Sequence, residues 1–147
     1  MKFSTRAIYG MRAMLALARS HGRGSTFLKD IAERENLPGT YLEQLMVPLR
    51  KAGLVQAVRG ARGGYTLARH PSEITVLAIL EALEGPLSLS ECPKGSGCCG
   101  TPEVCALQDL WSEGSQALRQ VYLDISLSGL LDRQKAKETD PSLMYTI

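Results

Sequence analysis

The stretch LKDIAERENLPGTYLEQLMVPLRKAGLVQAVRGARGGYTLAR, residues 28–69, decides the fold. It opens on a short helical segment, Leu28 to Glu35, with Leu28, Ile31 and Ala32 at the spacing of one apolar face. Asn36-Leu37-Pro38-Gly39 reads as a turn. Beyond it Thr40 stands as an N-cap with Glu43 at the capping-box spacing, and the helix that follows is expected to reach about Ala52. Leu42, Leu45, Met46 and Leu49 give it an apolar stripe, and Gly53 ends it. Pro48, inside it, is expected to kink the helix or remove a hydrogen bond. Leu54 to Val58 and Tyr65 to Ala68 then read as two strands joined by the basic, glycine-rich tip Arg59 to Gly64, a hairpin.

Upstream, residues 6–20 place Ile8, Met11, Met14, Leu15 and Ala18 along one face of a helix that Gly22 and Gly24 stop. Helix, helix, tight turn, helix and basic hairpin form the order of a winged helix-turn-helix, whose second paired helix lies in the major groove. The exposed positions on that helix are Thr40, Tyr41, Glu43 and Gln44. Glutamine can pair bidentately with adenine, and glutamate can accept from the cytosine amino group. Tyr41 can alternatively pack against the first helix. Arg50 and Lys51 at the helix end are placed to hold phosphate. Arg59 and Arg62 stand among Gly60, Gly63 and Gly64, which let the backbone approach a phosphate or enter the minor groove. Taken alone, such a hairpin also reads as a plain surface turn.

The charge pattern favours the nucleic-acid reading. The net charge of +2 on 147 residues conceals a split: residues 1–70 hold 12 Lys+Arg and 4 Asp+Glu, net +8, and residues 71–147 hold 5 and 11, net −6. A basic head on an acidic body suits a polyanionic partner. At 44% apolar and 22% charged residues, the composition is that of a globular domain. No apolar run is long enough for a membrane span. Arg6 and Arg12 interrupt the opening apolar residues, against a signal peptide, so the cytoplasm is the expected compartment. With no Cys-x-x-Cys motif, nucleotide loop or His/carboxylate pair, an enzyme is not expected.

Downstream, residues 74–84 form a helix that the Pro71-Ser72 pair can start and Gly85-Pro86 end. A long helix is expected from about Pro102 to Leu127, with Leu107, Leu110, Trp111, Ala117, Leu118, Val121, Tyr122 and Ile125 along one stripe. One small domain cannot easily bury so long a stripe, so a partner helix, and hence a homodimer, is expected. A short last helix over 128–137 and a loose tail after Asp140 complete the chain. The fold class is mainly α: a winged helix-turn-helix domain over 1–85 (wing about 54–68), a cysteine-rich cofactor loop over 86–101, dimerisation helices over 102–137 and a tail over 138–147.

Cys92, Cys98, Cys99 and Cys105 all fall within that loop or at its end. In a reducing compartment such clustering points to metal binding or redox sensing rather than structural disulfides. Iron–sulfur clusters take thiolates, usually four. Zinc is disfavoured by the absence of a C-x2-4-C pair and of a nearby histidine, since His21 and His70 lie far off in sequence. Adjacent Cys98 and Cys99 rarely both hold one metal, so three cysteines with one spare is the preferred set. An exposed redox-active thiol loop is the alternative.

The assembled pattern resembles the Rrf2 family of bacterial winged-helix regulators, most closely its iron–sulfur cluster regulator branch. The likeness covers nearly the whole chain. It rests on the opening MKFSTRAIYGMRAML, on residues 28–69 quoted above, with YLEQL, LRKAGLV and the glycine-rich wing, and on the cysteine loop followed by LQDLW. The resemblance implies a homodimeric transcription regulator on double-stranded promoter DNA, and a repressor is the expected sense. It implies a 2Fe–2S cluster ahead of a 4Fe–4S one; the alternative is a cluster-free regulator of the same fold, controlled by thiol oxidation or by a partner enzyme. Tyr41, Glu43 and Gln44 match recognition positions of that branch, with Thr40 in place of a serine, and Arg59 and Gly60 match its wing. Glu43 is implied to restrict the sites open to the apo-protein. Cys92 and Cys105, with either Cys98 or Cys99, match its ligand cysteines. Where the branch has a histidine ligand, this chain has Gln108. Where nitric-oxide-sensing relatives have an aspartate, it has Ile8. The fourth ligand stays open among Gln108, the spare cysteine, Glu103, Asp109 and an exogenous thiol or water.

Overall fold

The computed structural model describes residues 2–89 and 105–143. Among the described residues six helices and one hairpin follow in order: α1 (Thr5–Arg19), α2 (Leu28–Glu35), α3 (Gly39–Lys51), β1 (Val55–Val58), β2 (Gly64–Leu67), α4 (Val76–Glu84), α5 (Ala106–Leu123) and α6 (Leu127–Glu138). Short 3-10 turns occupy Pro71–Glu73 and Pro141–Leu143. This is the mainly helical, winged architecture expected from residues 28–69. Among the described residues no helix is long and apolar enough to cross a membrane.

α1 is the hub, packing against α2, α3, α4, α6 and β2. Its buried side runs through Ala7, Gly10, Ala13, Met14, Ala16, Leu17 and Ala18. Of the face expected from sequence, Met14 and Ala18 are buried and Met11 and Leu15 partly so, but Ile8 is half exposed. The offset follows from close helix approach. A Cβ on Gly10 would run into the buried Leu83 side chain of α4, so small residues rather than Ile8 face the neighbour. Leu42, Leu45, Met46 and Leu49 of α3, Leu54, Val55 and Leu67 of the hairpin, and Leu127 and Leu131 of α6 close the same core.

Helix boundaries depart from expectation in three places. α3 begins at Gly39, with Pro38 at the N-cap and no side-chain cap, so Thr40 lies inside the first turn. Pro38, with φ −63°, is already set for helix entry. Pro48 is accommodated within α3. α4 is capped by Thr75, whose side chain accepts from the Ala78 N–H, while Pro71-Ser72 forms a separate turn. α5 ends at Leu123, because Ser126 caps α6 by accepting from the Gly129 N–H.

Those two caps stand side by side. The Val76 N–H donates to the Ile125 carbonyl at 2.8 Å and the Leu127 N–H to the Ile74 carbonyl at 2.7 Å. The bridge fastens α6 to the head, and Arg19 donates to Glu138 across α1 and α6, holding that exposed carboxyl below its usual range. α5 joins the head through Tyr122, packed edge-on against Phe3, through Arg119, paired with Glu81, and at mid-helix through Ser115, which accepts from the Leu89 N–H at 2.9 Å. Not one of its residues is buried within the chain.

Candidate nucleic-acid interface

The helix pair is set by a left-handed residue. Asn36 ends α2 at φ 52°, and the Leu37 N–H returns to the Ala32 carbonyl at 2.8 Å. Asparagine tolerates this conformation better than most residues, and the tight exit turns the chain into α3. Arg12 of α1 holds the end of α2, donating from Nη2 to the Glu35 carbonyl at 2.6 Å and from Nε to its carboxylate at 3.3 Å.

α3 buries one stripe and presents the other side. Thr40, Glu43, Gln44, Arg50 and Lys51 are exposed, while Leu42, Leu45, Met46 and Leu49 anchor the helix. Tyr41 is half-buried, its ring edge-on to Tyr9 of α1 with centroids 5.9 Å apart. Of its two sequence readings, the packing contact is thus realised. Val47, which the sequence reading passed over, is 53% exposed on the same side as Thr40.

The hairpin projects beside α3. Its strands pair Val55 with Leu67, Gln56 with Thr66, Ala57 with Tyr65 and Val58 with Gly64. The tip turns tightly, with Gly60 at φ 111° and the Gly63 N–H donating to the Gly60 carbonyl at 2.9 Å. Arg59 and Arg62 are exposed on it. Arg50 from the end of α3 and Arg59 from the wing line one hollow together with Val55, Gln56 and Ala57. Val47, Arg50 and Lys51 line another with Met46 and Tyr65. Among the described residues, Arg50, Lys51, Arg59 and Arg62 form no ion pair. Arg50, Lys51 and Arg59 around these two hollows, with Arg62 exposed on the wing tip, can serve phosphates.

Sequence reading also missed the brace behind the wing. Thr26 pairs with Tyr65 through two backbone hydrogen bonds, and the Ser25 hydroxyl donates to the Arg62 carbonyl.

Of the four cysteines, Cys105 is described; Cys92, Cys98 and Cys99 lie outside the described residues, as does Glu103. Cys105 is a half-buried free thiol at the N-cap of α5, whose first turn has no side-chain cap. The Gln108 N–H donates to the Cys105 carbonyl at 3.0 Å, and Gln108 is half-buried and Asp109 exposed. A thiol at an uncapped helix N-terminus fits an anionic ligand set. No group of three metal-binding side chains occurs among the described residues.

A two-helix reader braced beside a basic hairpin defines the winged helix-turn-helix class. Residues 3–133 match the Rrf2 family, described as an iron-dependent transcriptional regulator, and the chain belongs to that family. It is 43% identical over 130 residues to the HTH-type transcriptional regulator CymR of Bacillus subtilis strain 168, covering 88% of this chain and 89% of that one. The solved structure of B. subtilis CymR, titled the global cysteine regulator, aligns with a TM-score of 0.77 at 41% identity over 90% of this chain and 98% of its own. T. potens IscR aligns with a TM-score of 0.78 at 38% identity over 99% and 96%. The protein is a transcriptional regulator of this family, and its relatives are regulators rather than enzymes.

Proposed function

We propose that the chain is a homodimeric repressor of promoter DNA in the cytoplasm. Its DNA affinity is set by an iron–sulfur cluster on Cys92, Cys105 and one of Cys98 and Cys99. The observation that carries the DNA part is the shared hollow of Arg50 and Arg59 beside the exposed side of α3. Thr40, Glu43 and Gln44 face base edges, and Arg50, Lys51, Arg59, Gly60 and Arg62 engage the backbone or minor groove. Tyr41 acts from behind by holding α3 on Tyr9. Dimerisation through α5 is supported by its exposed Leu107, Leu110, Trp111 and Val121.

The cofactor part rests on the donor chemistry: a cysteine-rich segment that ends on a free thiol at the start of the dimer helix. When bound, an iron–sulfur cluster supplies a redox-sensitive crosslink among thiolates. Cys105, at the N-cap of α5, would hold one end of that set, so cluster occupancy would act on the helix proposed to join the two heads. A tenfold change in promoter affinity needs about 1.4 kcal/mol of such coupling.

A second reading is a cluster-free regulator that responds to thiol chemistry. It is favoured by the likeness to a protein titled a global cysteine regulator and by Gln108, a poor iron ligand. Isolation without oxygen, followed by absorbance, iron and sulfide analysis and promoter binding before and after air exposure, separates the two. A coloured protein with stoichiometric iron and sulfide supports the first. Colourless protein whose DNA binding changes with thiol oxidation supports the second.

A further inference from the structure

We infer that Val47 reads the 5-methyl group of thymine in the major groove, an inference that rests on the DNA-binding reading above. Successive residues of a helix turn by about 100°, so Val47 lies only about 20° around α3 from Thr40, seven residues earlier. It stands between the directions of Glu43 and Gln44 and opposite the buried stripe of Leu42, Leu45, Met46 and Leu49. Val47 is therefore central on the exposed side, and more than half its surface meets solvent.

Single exposed apolar residues are common on protein surfaces. This one is distinguished by its neighbours. The described side chains around it on the same side are Thr40, Glu43, Gln44, Arg50 and Lys51, every one able to hydrogen-bond. A β-branched side chain at this helical position gives up rotamer freedom, yet more than half of Val47 stays uncovered within the chain. Val47 has no polar atom with which to contact a phosphate or a base edge. The thymine methyl is the apolar group that the major groove offers.

The charges agree with this placement. Glu43, one turn before Val47, is repelled by phosphate and is compatible with base edges. Arg50 and Lys51, about one turn after it, attract phosphate and share a hollow with it. Val47 thus sits where α3 passes from base-facing to backbone-facing. Together the exposed positions specify cytosine through Glu43, adenine through Gln44 and thymine through Val47.

The test uses the full chain and a duplex that it selects from a randomised library. Each thymine of the selected half-site is replaced in turn by deoxyuridine, which removes the methyl and preserves base pairing. One or two replacements should weaken binding about three- to fivefold, the effect of one buried methyl group. In Val47→Ala the same replacements should have no effect, whereas Val47→Ile should retain the sensitivity. Equal binding of all uracil duplexes by the parent chain, or an unchanged penalty in Val47→Ala, overturns the inference while leaving DNA binding intact. Selection of no duplex overturns the DNA-binding reading, and this inference with it.

Discussion

Thr26 and Tyr65 exchange two backbone hydrogen bonds, each 2.9 Å, so the segment ahead of α2 is a one-residue third strand of the wing. The wing is therefore positioned from behind by the same connection that leads into the reading helices. Any change that pushes Thr26 away from the hairpin should alter DNA binding without touching a DNA-facing side chain.

Gly64→Ala tests that coupling. Gly64 has φ 150°, and a Cβ there would run into the Thr26 carbonyl. The variant should lose about 1–3 kcal/mol of stability. Below its melting temperature it should remain helical by circular dichroism but bind DNA more weakly, because the hairpin is displaced. Unchanged stability together with unchanged DNA affinity would count against a rigidly braced wing.

The hairpin is legible from two short apolar runs around a basic, glycine-rich tip, and the buried stripe of α3 from Leu42, Leu45, Met46 and Leu49 at helical spacing. The Thr26 bridge is not, since one paired residue leaves no alternation to detect. Ile8 is misassigned because the expected face of Ile8, Met11, Met14, Leu15 and Ala18 lies only about one residue around the helix from the buried one of Ala7, Gly10, Met14 and Leu17, and hydropathy favours Ile8 over Ala7. Close packing of α1 on α4 favours the buried face, through Gly10. The end of α5 is legible in principle: the apolar stripe ends at Ile125, and Ser126 next to it is a good N-cap residue that starts α6 rather than continuing α5 to Leu127. Val47 escaped notice because apolar residues are sought for cores, not for base edges.

The exposed row on α5 gives the second prediction. Leu107, Leu110, Trp111 and Val121 are 59%, 53%, 42% and 56% exposed in the single chain. Leu110→Glu and Val121→Glu should leave the monomer fold unchanged, since each side chain is exposed there. In a helix–helix interface each would bury an unpaired charge, at a cost of several kcal/mol. Sedimentation should show monomers with parental helicity, and binding to a two-half-site duplex should collapse. Leu118 is a poorer choice, because it is half-buried within the chain itself. A dimer that persists in both variants would place the interface elsewhere.

The cations and Glu43 should separate cleanly in binding experiments. Arg59→Ala and Arg62→Ala should weaken binding to all duplexes and lower the salt slope by about one for each phosphate left without its cation. If an arginine enters a narrow minor groove, its variant should also lose preference for A·T tracts. Glu43→Ala should instead relax selectivity, since removing a carboxylate from base edges admits sites without a matching donor. A competition assay against unrelated duplexes reads this directly. Loss of equal size on every sequence would remove Glu43 from base recognition.

The last prediction concerns the thiols. Cys105 sits at the N-cap of α5, and its loss should not unfold the chain, because no buried core cluster includes it. Cys92→Ala and Cys105→Ala, isolated without oxygen, should each lack colour, iron and sulfide while keeping parental helicity and mass in sedimentation. Of Cys98→Ala and Cys99→Ala, one should be severe and the other mild, because adjacent side chains diverge. Gln108 follows Cys105 by one helical turn, and its N–H is already engaged by the Cys105 carbonyl. Gln108→Ala keeps that backbone bond and removes only the side-chain amide, so it should change little if the fourth ligand lies elsewhere. Gln108→His, which supplies a nitrogen donor on the same turn, should slow the loss of colour in air. If all four single cysteine variants retain full iron and sulfide, the ligands lie outside this segment. If the parent chain carries neither iron nor sulfide and its DNA binding follows thiol oxidation, the cysteines act as thiols.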